Sequence, residues 1–328
     1  MRQRRVGHQS LNIRSLDHLA HCLGVPLRVL EELADHVVWH YNPTTLRPKK
    51  LSEKPREIDA PLARLKHIQR RINSLLLTDL WLPDSIHAYR RRRSIKTAAE
   101  PHKGRPFLWV ADIRQFYPSI SHRHVYAMFF KLGCTPDVAR LLTMLTTHFH
   151  RLPQGAPTSP SLANLYLRLS GIAARIGGLA ARHRLQVTFF GDDILLSSEQ
   201  PFQGLTAHLA QIVEDCGLRL HPGKTQPVVG PGERHQAIGV VMNSFGTDVD
   251  VPKSYRRQLR TLIRLVGLHG PGALQKLGVT RADPHAYLRG KITFAAYINP
   301  RNRAFFASVD EALSRWTERT AMQPGRSA

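Results

Sequence analysis

An α+β fold, with a small antiparallel sheet among amphipathic helices, is what this sequence predicts, and two observations carry it. Between 185 and 198 two β-type runs, Leu185-Gln186-Val187-Thr188-Phe189 and Ile194-Leu195-Leu196-Ser197-Ser198, flank Phe190-Gly191-Asp192-Asp193. That reads as strand, tight turn, strand. Towards both ends helical periodicity takes over. Leu16, Leu19 and Leu23, then Leu27, Leu30, Leu33 and Val37, mark two helices broken at Gly24-Val25-Pro26. Leu259, Leu262, Ile263 and Val266 mark a third near the C-terminus, with Arg256, Arg260 and Arg264 on its polar side.

The hairpin is the most informative element. Gly191 lets the chain turn without a Cβ clash, and the tip carries two adjacent carboxylates. Neighbouring aspartates repel, so their placement needs a reason. A divalent cation supplies one, because Mg²⁺ prefers carboxylate oxygens and substrate phosphates. A solvated turn is the plainer alternative.

A third carboxylate sharpens the choice. Asp112 follows the apolar run Phe107-Leu108-Trp109-Val110-Ala111, a buried strand by composition, and so stands at a strand end. The plainer reading of Asp112 is a helix N-cap. If the hairpin pairs beside it, three carboxylates converge and can hold two Mg²⁺ ions about 4 Å apart. Between these sites lies Leu152-Pro153-Gln154-Gly155-Ala156-Pro157-Thr158-Ser159-Pro160, ahead of a helical run from Ser161 to Ala174 with Leu162, Leu165, Leu169 and Ile172 on one face. A loop of Gln, Gly, Thr and Ser at a helix start offers donors to a phosphate or a base edge.

The order of these pieces resembles a reverse transcriptase, and within that group the compact bacterial retron type. The resemblance runs through Lys54-Pro55-Arg56-Glu57-Ile58, Leu65-Lys66-His67-Ile68-Gln69, Arg93-Ser94-Ile95, Ala98-Ala99-Glu100-Pro101-His102, the Asp112 segment, Gln154 to Pro160 and Phe190 to Asp193. It continues through Gly223-Lys224-Thr225, Arg234 to Gly239, Gly290-Lys291-Ile292 and Asn299-Pro300. Three departures stand out. The hairpin has Phe190-Gly191 where the family has Tyr-Ala. Ala98 replaces the Asn of Asn-Ala-x-x-His. Ala237-Ile238-Gly239 replaces Val-Thr-Gly.

The resemblance implies a right-hand polymerase fold: a helical extension over 1–42, fingers over 43–110, a palm over 111–245 and a helical basic thumb over 246–328. It implies an RNA-directed DNA polymerase using deoxynucleoside triphosphates. Asp112, Asp192 and Asp193 would be its metal ligands. Tyr117 would be the ring beneath the sugar that excludes a ribose 2′-hydroxyl, unless Phe116 takes that part. Arg56, with Lys54 assisting, would meet the triphosphate, and Gln154 would line the nucleotide pocket. Lys224 would protonate the leaving pyrophosphate or simply neutralise charge. Arg256, Arg260 and Arg264 would face a template–primer backbone, unless their stripe is merely solvated. The family's cognate structured non-coding RNA, its multicopy RNA–DNA product and a phage-defence effector are the implied partners.

Other classes fit less well. A viral-type RNA replicase also carries Gly-Asp-Asp but places a second Asp near the position of Tyr117. A group II intron maturase is longer, and a diversity-generating enzyme usually departs from Gln-Gly-x-x-x-Ser-Pro. Another solitary bacterial or intron-like reverse transcriptase remains the nearest alternative, and a non-catalytic nucleic-acid-binding relative the farthest. A small DNA-reading unit at the N-terminus is disfavoured because Glu31, Glu32 and Asp35 would repel phosphate.

Composition agrees. The 328 residues carry a formal net charge of +23, as expected of a nucleic-acid binder. Cys22, Cys134 and Cys216 lack zinc spacing and read as reduced thiols of a cytoplasmic protein. No apolar stretch is long enough to span a membrane, and Met1-Arg2-Gln3-Arg4-Arg5 is not followed by one, so no signal peptide or membrane partner is expected. Gln323 to Ala328 reads as a disordered tail.

Overall fold

The apolar runs and helical stripes of the sequence become a mixed helix-and-sheet structure, as the α+β expectation requires. The computed structural model describes residues 9–46, 56–246, 248–270, 272–276 and 284–321. Lys54 and the tail Gln323 to Ala328 lie outside the described residues. The chain forms two compact units, 1–94 with 107–228, and 95–106 with 229–328.

In the first unit the N-terminal stripes fold as helices Leu16–Leu23 and Leu27–Asp35. Ser15 caps the first by accepting from the His18 amide, and Gly24 ends it with a left-handed φ of +58°. Leu19, Leu23, Leu30 and Leu33 are fully buried. Each such leucine contributes roughly 1.5–3 kcal/mol of burial. Strands β1 (Tyr41–Leu46) and β2 (Arg56–Pro61) pair antiparallel, Tyr41 opposite Pro61 and Leu46 opposite Arg56.

The central sheet has the order β3-β5-β4, with β3 at Phe107–Asp112, β4 at Gln186–Phe190 and β5 at Asp193–Ser198. Ile194, Leu195 and Leu196 are fully buried, so β5 is covered on both faces. That explains why its sequence is a continuous apolar run rather than an alternation. Around the sheet lie the helices Ala63–Ile72, His122–Lys131, Pro136–Thr146, Ser159–Leu169, Ile172–Arg182 and Thr206–Asp215.

One expectation needs correcting. The run from Ser161 to Ala174 is not one helix. It breaks at Ser170-Gly171, where Gly171 takes φ +91° and the Ser170 amide donates back to the Tyr166 carbonyl. Leu169 and Ile172 therefore belong to different helices, although their spacing continues the same stripe.

The second unit contains a small antiparallel sheet, β6 (Gln236–Ala237), β7 (Val240–Met242) and β8 (Val249–Asp250). It also contains the helices Lys253–His269, Pro284–Ile298 and Ala304–Ala321. Leu259, Ile263, Ile292 and Val309 pack together in one of its cores. Among the described residues no helix is long and apolar enough to cross a membrane, and the three cysteines are unpaired thiols.

Candidate active site

Strand β3 places Asp112 by what it pairs with. On one side β5 runs antiparallel with Asp112 opposite Asp193. On the other side the segment after Leu218 runs alongside, with the Arg114 amide donating to the Arg219 carbonyl at 2.8 Å, His221 to Asp112 at 2.7 Å and Gln226 to Val110 at 3.0 Å. Strand β4 completes the hairpin, Phe190 opposite Asp193, so Gly191 and Asp192 form its two-residue turn. Gly191 carries the positive φ, +66°. The Ile113 amide, just past the end of β3, donates to the Asp192 carbonyl at 2.7 Å and ties the turn to the strand end. Asp112 is therefore a strand residue and not a helix N-cap; Gln115 precedes the next helix, Phe116–Ser119.

Three carboxylates thus gather at one end of the sheet. Directly opposed residues hold their Cβ atoms about 4.5–5.5 Å apart on the same face. The Asp193 carboxyl is pushed up to about 7, first by burial and then by the charges of Asp192 and Asp112, with Lys224 pulling the other way. Lys224 Nζ lies 2.9 Å from Asp112 Oδ2. It arrives from a turn in which the Lys224 and Thr225 amides both donate to the His221 carbonyl.

This donor set suits a hard cation. All three groups offer carboxylate oxygens; Asp193 is raised first by burial and then by the charges of Asp192 and Asp112, and a cation would offset that second part. Among the described residues no group of three His, Cys, Asp or Glu side chains is arranged to hold a metal ion.

The two adjacent rings divide their duties. Phe116 is 4% exposed and belongs to the core. Tyr117 is half-buried, and its hydroxyl is hydrogen-bonded to Tyr89. Burial, the Tyr89 contact and the nearby Asp192 charge all hold the Tyr117 phenol un-ionised.

Tyr89 is a residue that the sequence reading missed. It sits in a loop docked along β4: the Phe189 amide donates to the Ser85 carbonyl at 2.7 Å and the His87 amide to the Phe189 carbonyl at 2.9 Å. Arg90 straps the loop by donating to the carbonyls of Leu82, Pro83 and Ile86, and Asn164 Nδ2 donates to Ala88 O at 2.7 Å. Tyr89 itself has φ +55°, unusual for an aromatic residue, and its side chain borders Gly191. The only local signal was an aromatic residue ahead of the arginine run.

Gln154 and Gly155 lie against β2. The Asp59 amide donates to the Gln154 carbonyl at 2.8 Å. Gly155 has φ +116°, and a Cβ there would come within 2.7 Å of Ile58 Cγ2, so only glycine fits this approach. The Arg56 backbone opens β2.

The arginine stripe falls in the second unit. Arg256 pairs with Asp250 at 3.2 Å, and the Arg260 guanidinium stands 5.7 Å from the centre of the Phe305 ring. Both line a cavity of about 670 Å³ together with Arg234 and Arg301. Arg264, two turns along from Arg256, is exposed. The four-residue spacing does place the three on one helix, but two of them are already engaged within the unit.

Comparison with known proteins gives the family. Residues 47–263 match the family described as reverse transcriptase (RNA-dependent DNA polymerase). The chain is 31% identical to the retron Mx65 reverse transcriptase of Myxococcus xanthus over 88% of its own length and 69% of that protein. It is 30% identical to the retron Mx162 reverse transcriptase of the same organism, over 92% and 67% respectively. With the retron Ec86 reverse transcriptase of Escherichia coli it shares 31% identity over 66% and 67%. The chain belongs to the reverse transcriptase family, in its retron-type branch, and is an RNA-directed DNA polymerase.

Proposed function

We propose that this enzyme copies a cognate structured non-coding RNA into single-stranded DNA, with Asp112, Asp192 and Asp193 as its catalytic carboxylates. The observation that carries the site assignment is the cross-strand pairing of Asp112 with Asp193 beside the Asp192 turn. In this reading a primer hydroxyl oxygen attacks the α-phosphorus of a deoxynucleoside triphosphate. The α–β bridging bond breaks and pyrophosphate leaves. Two Mg²⁺ ions held by the three carboxylates would supply charge neutralisation and lower the hydroxyl's pKa when bound. Lys224 sits at the rim and is assigned to the leaving pyrophosphate, as proton donor or as counter-charge. Tyr117 closes the space beneath the sugar, and Gln154 and Arg56 hold base and triphosphate.

The domain reading follows the same proposal: extension 1–42, fingers 43–110, palm 111–245, thumb 246–328. Arg264, with Arg256 and Arg260, is assigned to the duplex backbone. From the family resemblance we extend the reading to a template that also primes through an internal 2′-hydroxyl, a multicopy RNA–DNA product, and service in phage defence beside an effector protein in the cytoplasm.

The test of the site is Asp192→Asn. Extension of a DNA primer on an RNA template should be lost, while binding of the primed hybrid stays within a few-fold of wild type. Extension at the wild-type rate would overturn the assignment. Sequencing of nucleic acid that copurifies with the protein tests the template: one structured RNA joined to DNA is expected, and a random RNA population would overturn it.

A further inference from the structure

The chain approaches Gln154 through a turn that is unfavourable as a turn. The His148 amide donates to the Arg151 carbonyl at 2.9 Å, and the Arg151 amide returns to the His148 carbonyl at 3.1 Å. Phe149 and His150 are thus the two central residues of a tight hairpin turn. Both have positive φ, +44° and +60°. Such positions select glycine, asparagine or aspartate, because a Cβ there crowds the backbone. The turn is nevertheless held in place: the His122 amide donates to the His150 carbonyl at 2.8 Å, and Leu152 to Ile120 at 2.9 Å.

Burial does not explain the choice of phenylalanine, since Phe149 is 60% exposed. What the turn does is place the ring at the end of an aromatic row. Tyr41 and His148 are buried, with ring centres 4.2 Å apart and planes at 24°. Phe149 follows, its centre 4.1 Å from that of His148. The Asp59 carboxylate lies beside His148, 3.3 Å from its Nδ1. The turn itself carries His150 and Arg151, and the helix whose first amide meets the His150 carbonyl opens with His122 and Arg123, the His122 and His150 ring centres lying 4.8 Å apart.

We propose that Phe149 is a stacking platform for an unpaired nucleobase of the template strand. The inference rests on the reading of the Gln154 strap as part of the nucleotide pocket, which this turn feeds directly. An aromatic face suits a template because every base has a π-face, so stacking tolerates any sequence that must be copied. The basic neighbours suit the backbone on either side of that base. Residues held in sparsely populated backbone conformations persist where the surroundings over-determine them, and they cluster at ligand clamps. Here the ring outside the core is the feature that the strained backbone presents.

The experiment compares two hybrids with the same paired region, one ending in a few unpaired RNA template nucleotides and one blunt, both binding the full chain. Phe149→Ala should weaken binding of the overhanging hybrid on the order of 10-fold or more and leave the blunt hybrid unchanged. Phe149→Trp should retain overhang binding. Phe149→Asn is the decisive variant, because asparagine tolerates left-handed φ. It should raise the melting temperature while weakening overhang binding as alanine does. Equal losses on both hybrids, no loss on either, or an Asn variant that melts earlier would overturn the platform. The readout is binding, so it separates from the catalytic assignment: an active Asp192→Asn enzyme would sink that assignment and leave this comparison standing.

Discussion

Two tight turns of the same unit are built in opposite ways. At Gly191-Asp192 the positive φ falls on glycine, and the carboxylate comes after it in ordinary backbone. At Phe149-His150 both positive φ values fall on residues with large side chains. An L residue in the left-handed region costs roughly 1–2 kcal/mol. The first turn is thus relaxed and could be chosen for its charge alone. In the second, side-chain identity has overridden backbone preference. The strain points to a role other than folding, and the relaxed turn shows none; its sign is the Asp193 carboxyl, raised first by burial and then by the charges of Asp192 and Asp112.

The largest expected effect concerns that charge. Asp193→Asn should lower primer extension on the order of 10³-fold, the scale seen when a preorganised electrostatic partner is removed. Thermal stability should be held or raised, because a crowded, half-buried carboxylate is exchanged for a neutral amide. Extension rates and melting curves on the same preparation check this. A variant that melts early in proportion to its lost activity would make Asp193 structural.

A second effect acts on the loop that braces the relaxed turn from the β4 side. His87 is 3% exposed, and burial first, then Arg93 and Arg90, lower its pKa to about 4. Above its ordinary value near 6.5 the imidazole is neutral in both folded and unfolded chains, and stability is independent of it. As pH falls below 6.5 the unfolded chain takes up a proton that the folded chain refuses, down to about 4. Stability should decline across that window by at most about 3 kcal/mol. His87→Gln should flatten this part of the pH dependence in denaturant titrations. An unchanged slope in the variant would assign the acid sensitivity to other groups.

Gly191→Ala comes next and attacks the comparison directly. Space is not the obstacle, since a Cβ would meet the Tyr89 ring at 3.9 Å, an ordinary contact. The φ of +66° is, so a loss of about 1–2 kcal/mol is expected. Phe149→Asn should move stability the other way. If both substitutions lowered the melting temperature, the contrast between the turns would be false.

How much of this was readable from sequence depends on the range over which each feature is encoded. The hairpin and Asp112 at a strand end were legible because turn chemistry and an apolar run act within a dozen residues, whereas the convergence of the three carboxylates stayed conditional on the hairpin pairing beside Asp112. The resemblance supplied the pairing partner that local reasoning cannot. The helix break at Gly171 was missed because Leu162, Leu165, Leu169 and Ile172 keep one stripe through it; Ser170-Gly171 was the punctuation that mattered. Tyr89 was missed because its place depends on Ser85 and His87 meeting Phe189, a hundred residues away, in a backbone conformation its own side chain disfavours. Phe149 was missed for the same second reason: turn rules reject Phe-His, so the sequence hides a turn there. The arginine stripe was read correctly as one helix face, but only folding brings Asp250 and Phe305 to two of its members.

The smallest expected effect tests whether the relaxed turn is also tuned by a neighbour. Tyr117→Ala should open space beneath the sugar and admit ribonucleotides, and Phe116→Ala should not, because Phe116 is a core residue whose loss mainly costs stability. Tyr89 acts one step further out. Its hydrogen bond to the Tyr117 hydroxyl fixes how that ring stands beside Asp192. A typical hydrogen bond contributes about 1 kcal/mol, so Tyr89→Phe should reduce discrimination against ribonucleotides roughly 5-fold. The deoxynucleotide kcat should change little, because no reacting atom is touched. In a Tyr117→Phe background the hydrogen bond is already gone, and the Tyr89→Phe effect should vanish. If the two substitutions instead add independently, Tyr89 does not act through Tyr117, and its strained backbone at +55° must serve the Gly191 side of the turn instead.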